Sequence, residues 1–325
     1  MKGTYDIIVQ SRRMQYKFTI RRNITVVCGD SATGKTTLIE MIQEYNNNGS
    51  DSGVSISCDK ECVVLSGRSW QQDLKRISGA IVFIDEGNRF MLTDEFAQAI
   101  KKTDNYYVLI TRECLPNIPY SVEERYGIRI SGKYGSLQPT VHEMYHLYSN
   151  RAIDTPIVPS CFITEDSHSG YEFFCEVCRG KNIICCSAAG KSNVFDKLLE
   201  HINDNIIVVA DGAAFGPELE RILLLMKSHA NIILYLPESF EWMILSARLF
   251  ENKHIEDILS NTAKHVDSIK YFSWEQFFTD VLRKSTDGTV WKYTKSGLNP
   301  VYLHETNKKK ILAIMGRVPD ITLEE

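Results

Sequence analysis

The sequence predicts an α/β fold in two parts, and three observations carry that expectation. Ile24 to Cys28 is a β-branched run that feeds a Gly-rich turn and then an amphipathic helix from about Lys35 to Tyr45. Ala80 to Ile84 is a short apolar run ending in Asp85-Glu86, the pattern of a buried parallel strand with acids at its C-terminal edge. Beyond Pro156, strand-like and helix-like segments alternate as far as Glu241, which implies a second parallel sheet with right-handed crossovers.

Length and composition set the bounds. The 325 residues are enough for about two domains. Hydrophobic content of 43% and charged content of 24% fall within the globular range. No apolar run approaches the ~18 residues of a membrane span. The start, Met1 to Asp6, lacks the apolar core of a signal peptide, so a cytoplasmic protein without membrane contact is expected. Nine cysteines, an odd number, argue against a complete disulfide framework. Residues 1–150 carry 18 basic and 17 acidic side chains, and residues 151–325 carry 19 and 24. Neither half is strongly basic, so any nucleic-acid contact must use local patches.

In chain order, Tyr5 to Gln10 and Gln15 to Ile20 read as strands about a polar turn at Ser11 to Arg13. Gly29-Asp30-Ser31-Ala32-Thr33-Gly34-Lys35-Thr36 then fits G-x-x-x-x-G-K-[ST], followed by Thr37, between a strand and a helix. This is the phosphate-binding P-loop. Its glycines let backbone N–H groups approach a triphosphate, and the helix N-terminus adds a partial positive charge. Residues 29–37 are therefore the expected nucleotide-binding set. Lys35 would reach the β- and γ-phosphates, and the Thr36 hydroxyl would ligate Mg²⁺. Residues 46–53 read as a loop, with short strands at Val54 to Cys58 and Cys62 to Leu65 and a helix at Trp70 to Ile77.

Ala80 to Glu86 resembles a Walker B element. That resemblance makes Asp85 a magnesium ligand and Glu86 the residue that orients and deprotonates the attacking water. Tyr106 to Arg112 is another buried strand with a polar end, where Thr111 or Arg112 could sense a γ-phosphate. Leu65-Ser66-Gly67-Arg68-Ser69 resembles the start of the ABC-type ATPase signature, but Arg68 and Ser69 replace its second Gly and its Gln. The interval from Lys35 to Asp85 is also too short for that family's helical lobe. The ATPase core is accordingly expected within residues 1–115.

Residues 116–155 read as a connector, with a short strand near Ile128 to Ile130 and a short helix at Thr140 to Tyr148. His142-Glu143-Met144-Tyr145-His146 fits H-E-x-x-H, but no third zinc ligand is apparent, and packing or solvated histidines are the preferred reading.

In the second half, strands are expected at Val158 to Thr164, Asn182 to Cys186, Asn205 to Ala210 and Asn231 to Leu236, with helices following each. Acids end three of them: Glu165 with Asp166, Asp211, and Glu238 with Glu241. Carboxylates gathered at one sheet edge repel unless a cation sits among them, which suggests Mg²⁺ or Mn²⁺. With Gly190 between the second strand and its helix, this order resembles the Toprim domain of topoisomerases, primases and anti-phage nucleases. The resemblance makes Glu165 and Asp211 catalytic metal ligands and Glu241 a further one. Ala213 stands where Toprim domains have the second Asp of Asp-x-Asp, and Asp166 where they have Gly. Cys175-x-x-Cys178 and Cys185-Cys186 read as small hydrophobes on a helix and in an apolar strand rather than as a zinc site. Further helices are expected over Trp242 to Phe250, Ile255 to His265 and Trp274 to Leu282, as a C-terminal extension of a domain spanning 156–325.

The whole order, P-loop ATPase then Toprim-like domain, resembles ATP-dependent anti-phage nucleases of the overcoming-lysogenization-defect family and related defence systems. The resemblance implies ATP and Mg²⁺ as cofactors and nucleotide state gating a nuclease. It also implies a homo-oligomer or a complex with a partner protein, and nucleic acid as substrate of the Toprim-like half. The alternative is a regulatory or scaffold ATPase whose Toprim-like half only binds a partner.

Overall fold

The strand runs Ile24–Val27, Ile81–Ile84 and Tyr106–Ile110 have every side chain buried, as expected of strands covered on both faces. They are consecutive interior strands of a nine-stranded sheet in a computed structural model that describes residues 1–29, 33–132, 139–148, 158–250 and 252–316. Asp30, Ser31 and Ala32 of the expected nucleotide-binding set lie outside the described residues. The chain divides into two units, Met1–Ser149 with Ser260–Ser273, and Asn150–Leu259 with Trp274–Glu325.

The first unit contains β1 (Tyr5–Ser11), β2 (Met14–Ile20), β3 (Ile24–Val27), α1 (Lys35–Asn48), β4 (Val54–Ser57) and β5 (Cys62–Val64). It continues with α2 (Trp70–Leu74), β6 (Ile81–Ile84), α3 (Asp94–Ile100), β7 (Tyr106–Ile110), β8 (Arg125–Gly132) and β9 (Thr140–His146). The sheet order is β4-β1-β2-β9-β8-β3-β7-β6-β5. From β8 to β5 neighbouring strands run parallel, whereas β1 pairs antiparallel with β2 and with β4. Helix α1 buries Leu38, Ile39, Met41 and Ile42 in one core cluster with Ile7, Val9, Ile20 and Phe83. It runs three residues beyond Tyr45, into the stretch expected as loop, and stops at Gly49, whose φ of 57° returns its N–H to the Tyr45 carbonyl.

Two sequence expectations are corrected here. The stretch 125–146, expected within a connector, supplies two strands of the first sheet. Residues 140–146 are strand β9 and not a helix. It runs antiparallel to β8 and parallel to β2, which places His142 opposite Tyr16. Along a strand, His142 and His146 stand ~13 Å apart, so they cannot hold one ion. Ser260–Ser273, expected inside the second domain, also belongs to the first unit: Gly3 N–H donates to the Ala263 carbonyl and the Asn23 amide to that of Phe272.

The second unit carries β10 (Cys161–Thr164), α4 (Ser169–Cys178), β11 (Ile184–Ser187), α5 (Val194–Glu200), β12 (Ile206–Val209), α6 (Gly216–Met226), β13 (Ile232–Tyr235) and α7 (Phe240–Ser246). Its sheet, β11-β10-β12-β13, is wholly parallel. Of the later helices, α8 (Lys253–Ser260) lies in this unit up to Leu259, α9 (Thr262–His265) in the first, and α10 (Trp274–Thr286) and α11 (Glu305–Ala313) in the second. No helix among the described residues is long and apolar enough to cross a membrane.

One buried charge network ties the start of β3 to the start of β8. Glu124 has no exposure, and burial raises its pKa against the pull of two guanidiniums. Its carboxylate meets Arg21 Nε at 3.2 Å and Arg22 Nε at 3.4 Å, and accepts from Thr25 Oγ1 at 3.0 Å. Removing Glu124 leaves buried Arg22 with only the partly exposed Glu123, 3.5 Å from its Nη2, and leaves buried Thr25 without its acceptor. Glu124→Ala is therefore expected to destabilise the first unit by about 3–5 kcal/mol. Hydrogen exchange checks this: amides of β3 and β8 should lose protection, while those of β10 and β12 keep theirs.

Candidate functional site

Two constellations stand at the C-terminal edges of the two sheets. In the first unit β7 lies between β3 and β6, in register Val27 to Ile110 and Ile84 to Leu109. The P-loop, Thr111 and Asp85 therefore leave the sheet side by side, with β3 and β6 ~10 Å apart. Gly29 and Gly34 hold φ of 116° and 92°, a region in which a Cβ is strained. Lys35 is buried, and its ammonium donates to the Gly29 carbonyl at 2.7 Å and Thr33 Oγ1 at 3.1 Å. Thr36 is exposed and Thr37 half-buried in the first turn of α1. That turn holds no acidic residue, and Gly34 supplies no side-chain cap. Its N–H groups thus keep the partial positive charge that suits an anion. These features fit a bound phosphate chain.

The loop rests on a pair that sequence reasoning missed. Tyr16 donates its hydroxyl to the Gly34 carbonyl at 2.8 Å and stacks on His142 with ring centroids 4.6 Å apart. A Cβ on Gly34 would come within 2.6 Å of the Tyr16 oxygen. Burial pushes the Tyr16 hydroxyl up to about 12 and lowers the His142 pKa, so both rings stay neutral near pH 7. No spacing rule joins residues 16, 34 and 142, because strand pairing brings them together.

At the other strand end, Asp85 Oδ1 accepts from the Glu86 N–H at 2.9 Å. Glu86 is held by Arg112 at two points, Nε at 3.1 Å and Nη2 at 3.3 Å. Arg112 is 51% exposed, so the pair is worth at most about 1 kcal/mol and is readily exchanged for another anion. Thr111 is buried and turned away, exchanging hydrogen bonds with the Glu113 backbone. Gly67, in the signature-like stretch, donates its N–H to Asn88 Oδ1, so that stretch is a turn tied to the loop after Glu86.

In the second unit, Glu165 follows β10 and Asp211 follows the adjacent β12. The Asp211 N–H donates to Glu165 Oε2 at 2.9 Å. Burial first, then neighbouring carboxylates, raise both pKa values: Glu165 to about 7, and Asp211 well above its ordinary range under the influence of Glu275, Glu165 and Glu241. Glu241 is buried in α7 and accepts from Tyr293 Oη at 2.8 Å. Asp166 accepts from the Gly170 N–H at 3.0 Å and so caps the entry to α4. Gly190 donates its N–H to the Glu165 carbonyl, and Ala213 is buried.

Glu275 and Lys295 were not foreseen, since both lie far along the chain with no local motif. Lys295 pairs with Glu275 at 2.7 Å, and the fields of Glu241 and Asp211 help raise its pKa. Among the described residues, no three of these carboxylates bring ligand oxygens within 4.8 Å of one another. With their ligand oxygens apart and Glu165 and Asp211 raised by burial, these acids do not fit a two-metal clamp.

No protein-family model matches the chain, and no curated protein matches it.

A pH dependence follows for magnesium-free buffer. With its native pKa near 7 against the usual 4.5, Glu165 holds a proton in the folded state that the unfolded chain has lost. Its contribution to stability is complete below about pH 4.5 and falls as pH rises through about 7. Glu165→Gln should thus gain on the wild type from pH 5 to pH 8. Urea unfolding of both chains across this range checks the sign.

Proposed function

We propose that this protein binds and hydrolyses ATP at the P-loop, and that nucleotide state controls a Toprim-like second unit. The observation that carries the reading is the alignment of the P-loop, Thr111-Arg112 and Asp85-Glu86 on three adjacent parallel strand ends. Lys35 and the first N–H groups of α1 would hold the phosphates. Thr36 and Asp85 would hold Mg²⁺, which neutralises charge on the β- and γ-phosphates. Glu86 would orient and deprotonate the attacking water. The Arg112–Glu86 pair keeps the base occupied until a competing anion draws the guanidinium away.

For the second unit, Lys295 among the acids supports the regulatory reading, in which this half binds a partner and does not cut. The contact between Glu165 and Asp211, on the edge where Toprim-like acids are expected, supports the nuclease reading. Under either, we propose a role in anti-phage defence, as the resemblance to ATPase–Toprim systems implies, with the protein acting as an oligomer or with a partner protein.

The test is ATP hydrolysis by purified protein. Lys35→Ala should lose nucleotide binding. Glu86→Gln should keep binding and lose at least about 100-fold in turnover. Wild-type protein that binds no ATP, or a Glu86→Gln variant as fast as wild type, would overturn the ATPase reading. Magnesium-dependent cleavage of DNA or RNA that disappears in Glu165→Ala selects the nuclease; intact ATPase activity without cleavage selects the regulator.

A further inference from the structure

A second constellation in the Toprim-like unit lies away from the acids. Cys161 opens β10, Cys186 sits in β11, and His201 follows the last turn of α5. Among the described residues these three alone form a set whose ligand atoms lie within 4.8 Å of one another. Cys161 is fully buried, while Cys186 and His201 are half-buried, so the set opens on one side toward solvent.

The geometry is specific. Cys186 Sγ and His201 Nε2 are 3.5 Å apart. Tetrahedral zinc, with Zn–S near 2.3 Å and Zn–N near 2.05 Å, places such a pair ~3.6 Å apart. The other ring nitrogen, Nδ1, meets Asp204 Oδ2 at 3.0 Å. That carboxylate fixes the ring and leaves Nε2 as the pole directed at the sulfur, the arrangement found behind metal-bound imidazoles. Asp204 is itself anchored beside Cys161: its Oδ1 accepts from Ser160 Oγ at 3.4 Å, and Ser160 Oγ accepts from the Asn205 N–H at 3.0 Å.

A disulfide is a poor alternative. Cys161 pairs in register with Ile184, so Cys186 is offset by two residues on the neighbouring parallel strand. That offset puts the two Cα atoms ~8 Å apart, beyond the ~7 Å that a disulfide spans without backbone movement.

We propose that Cys161, Cys186 and His201 bind one zinc ion, with Asp204 as the positioning carboxylate and a fourth position open to water or a partner's ligand. The site joins three segments of the second unit: the start of β10, strand β11 and the turn between α5 and β12. It does not depend on the ATPase or nuclease readings.

The test uses Co²⁺ alone, titrated into chelator-stripped full-length protein. One equivalent should give sulfur-to-cobalt charge-transfer absorption. That absorption should vanish in Cys186→Ser and in His201→Gln. Asp204→Asn should weaken binding about 10–100-fold. Cys185→Ser, which alters the neighbouring thiol cluster with Cys175 and Cys178, should behave as wild type. His201 is half-buried and polar, so a His201→Gln variant with unchanged metal-free unfolding separates ligation from folding. The proposal is overturned if stoichiometric Co²⁺ gives no thiolate absorption with the wild type. It is also overturned if the band survives Cys186→Ser and disappears in Cys185→Ser.

Discussion

Parallel strand pairing is the constraint on which the rest depends. Strands β3, β7 and β6 are buried on both faces, and so are β10 and β12. Charged groups are costly along such strands, so they gather where the strands end. Because the strands run the same way and in register, those ends fall on one edge. The P-loop, Asp85-Glu86, Thr111-Arg112, Glu165 and Asp211 all follow this rule. The position of these polar groups in both units is a consequence of where an apolar run must stop.

The two edges resolve their charge differently. In the first unit the acid after β6 meets an exposed guanidinium, a contact that water and salt weaken. In the second, burial and neighbouring carboxylates raise Glu165 and Asp211, while the exposed Lys295 pairs with Glu275. The first edge can exchange partners at small cost.

Much of this was legible in the sequence, because the signals there are local. The strand–loop–helix at Ile24 to Tyr45, the Asp85-Glu86 strand end and the alternation after Pro156 each lie within a few residues. Glu165 and Asp211 were found because each directly follows an apolar strand. The missed groups share the opposite property. Tyr16 and His142 meet only through β2–β9 pairing, and Glu275 and Lys295 reach the acids from the last fifth of the chain. His201 joins two cysteines that looked like ordinary core residues in isolation. The helix expected at Thr140 to Tyr148 is instead strand β9, because pairing with β8 and β2 decides its conformation. The connector expected at 116–155 gives way to β8 and β9 for the same reason: long-range pairing leaves no local signal.

The return of Ser260–Ser273 to the first unit has a consequence for the order of assembly. During synthesis, β1 to β9 emerge well before the segment that bonds to Gly3 and Asn23. The first unit therefore cannot be completed until residue 273 has been made, by which time all four strands of the second sheet are already out. Domains that follow one another along a chain can fold in sequence as they appear. Here the second unit's sheet is nested within the first unit's sequence, so it can form while its host is still waiting for its last piece.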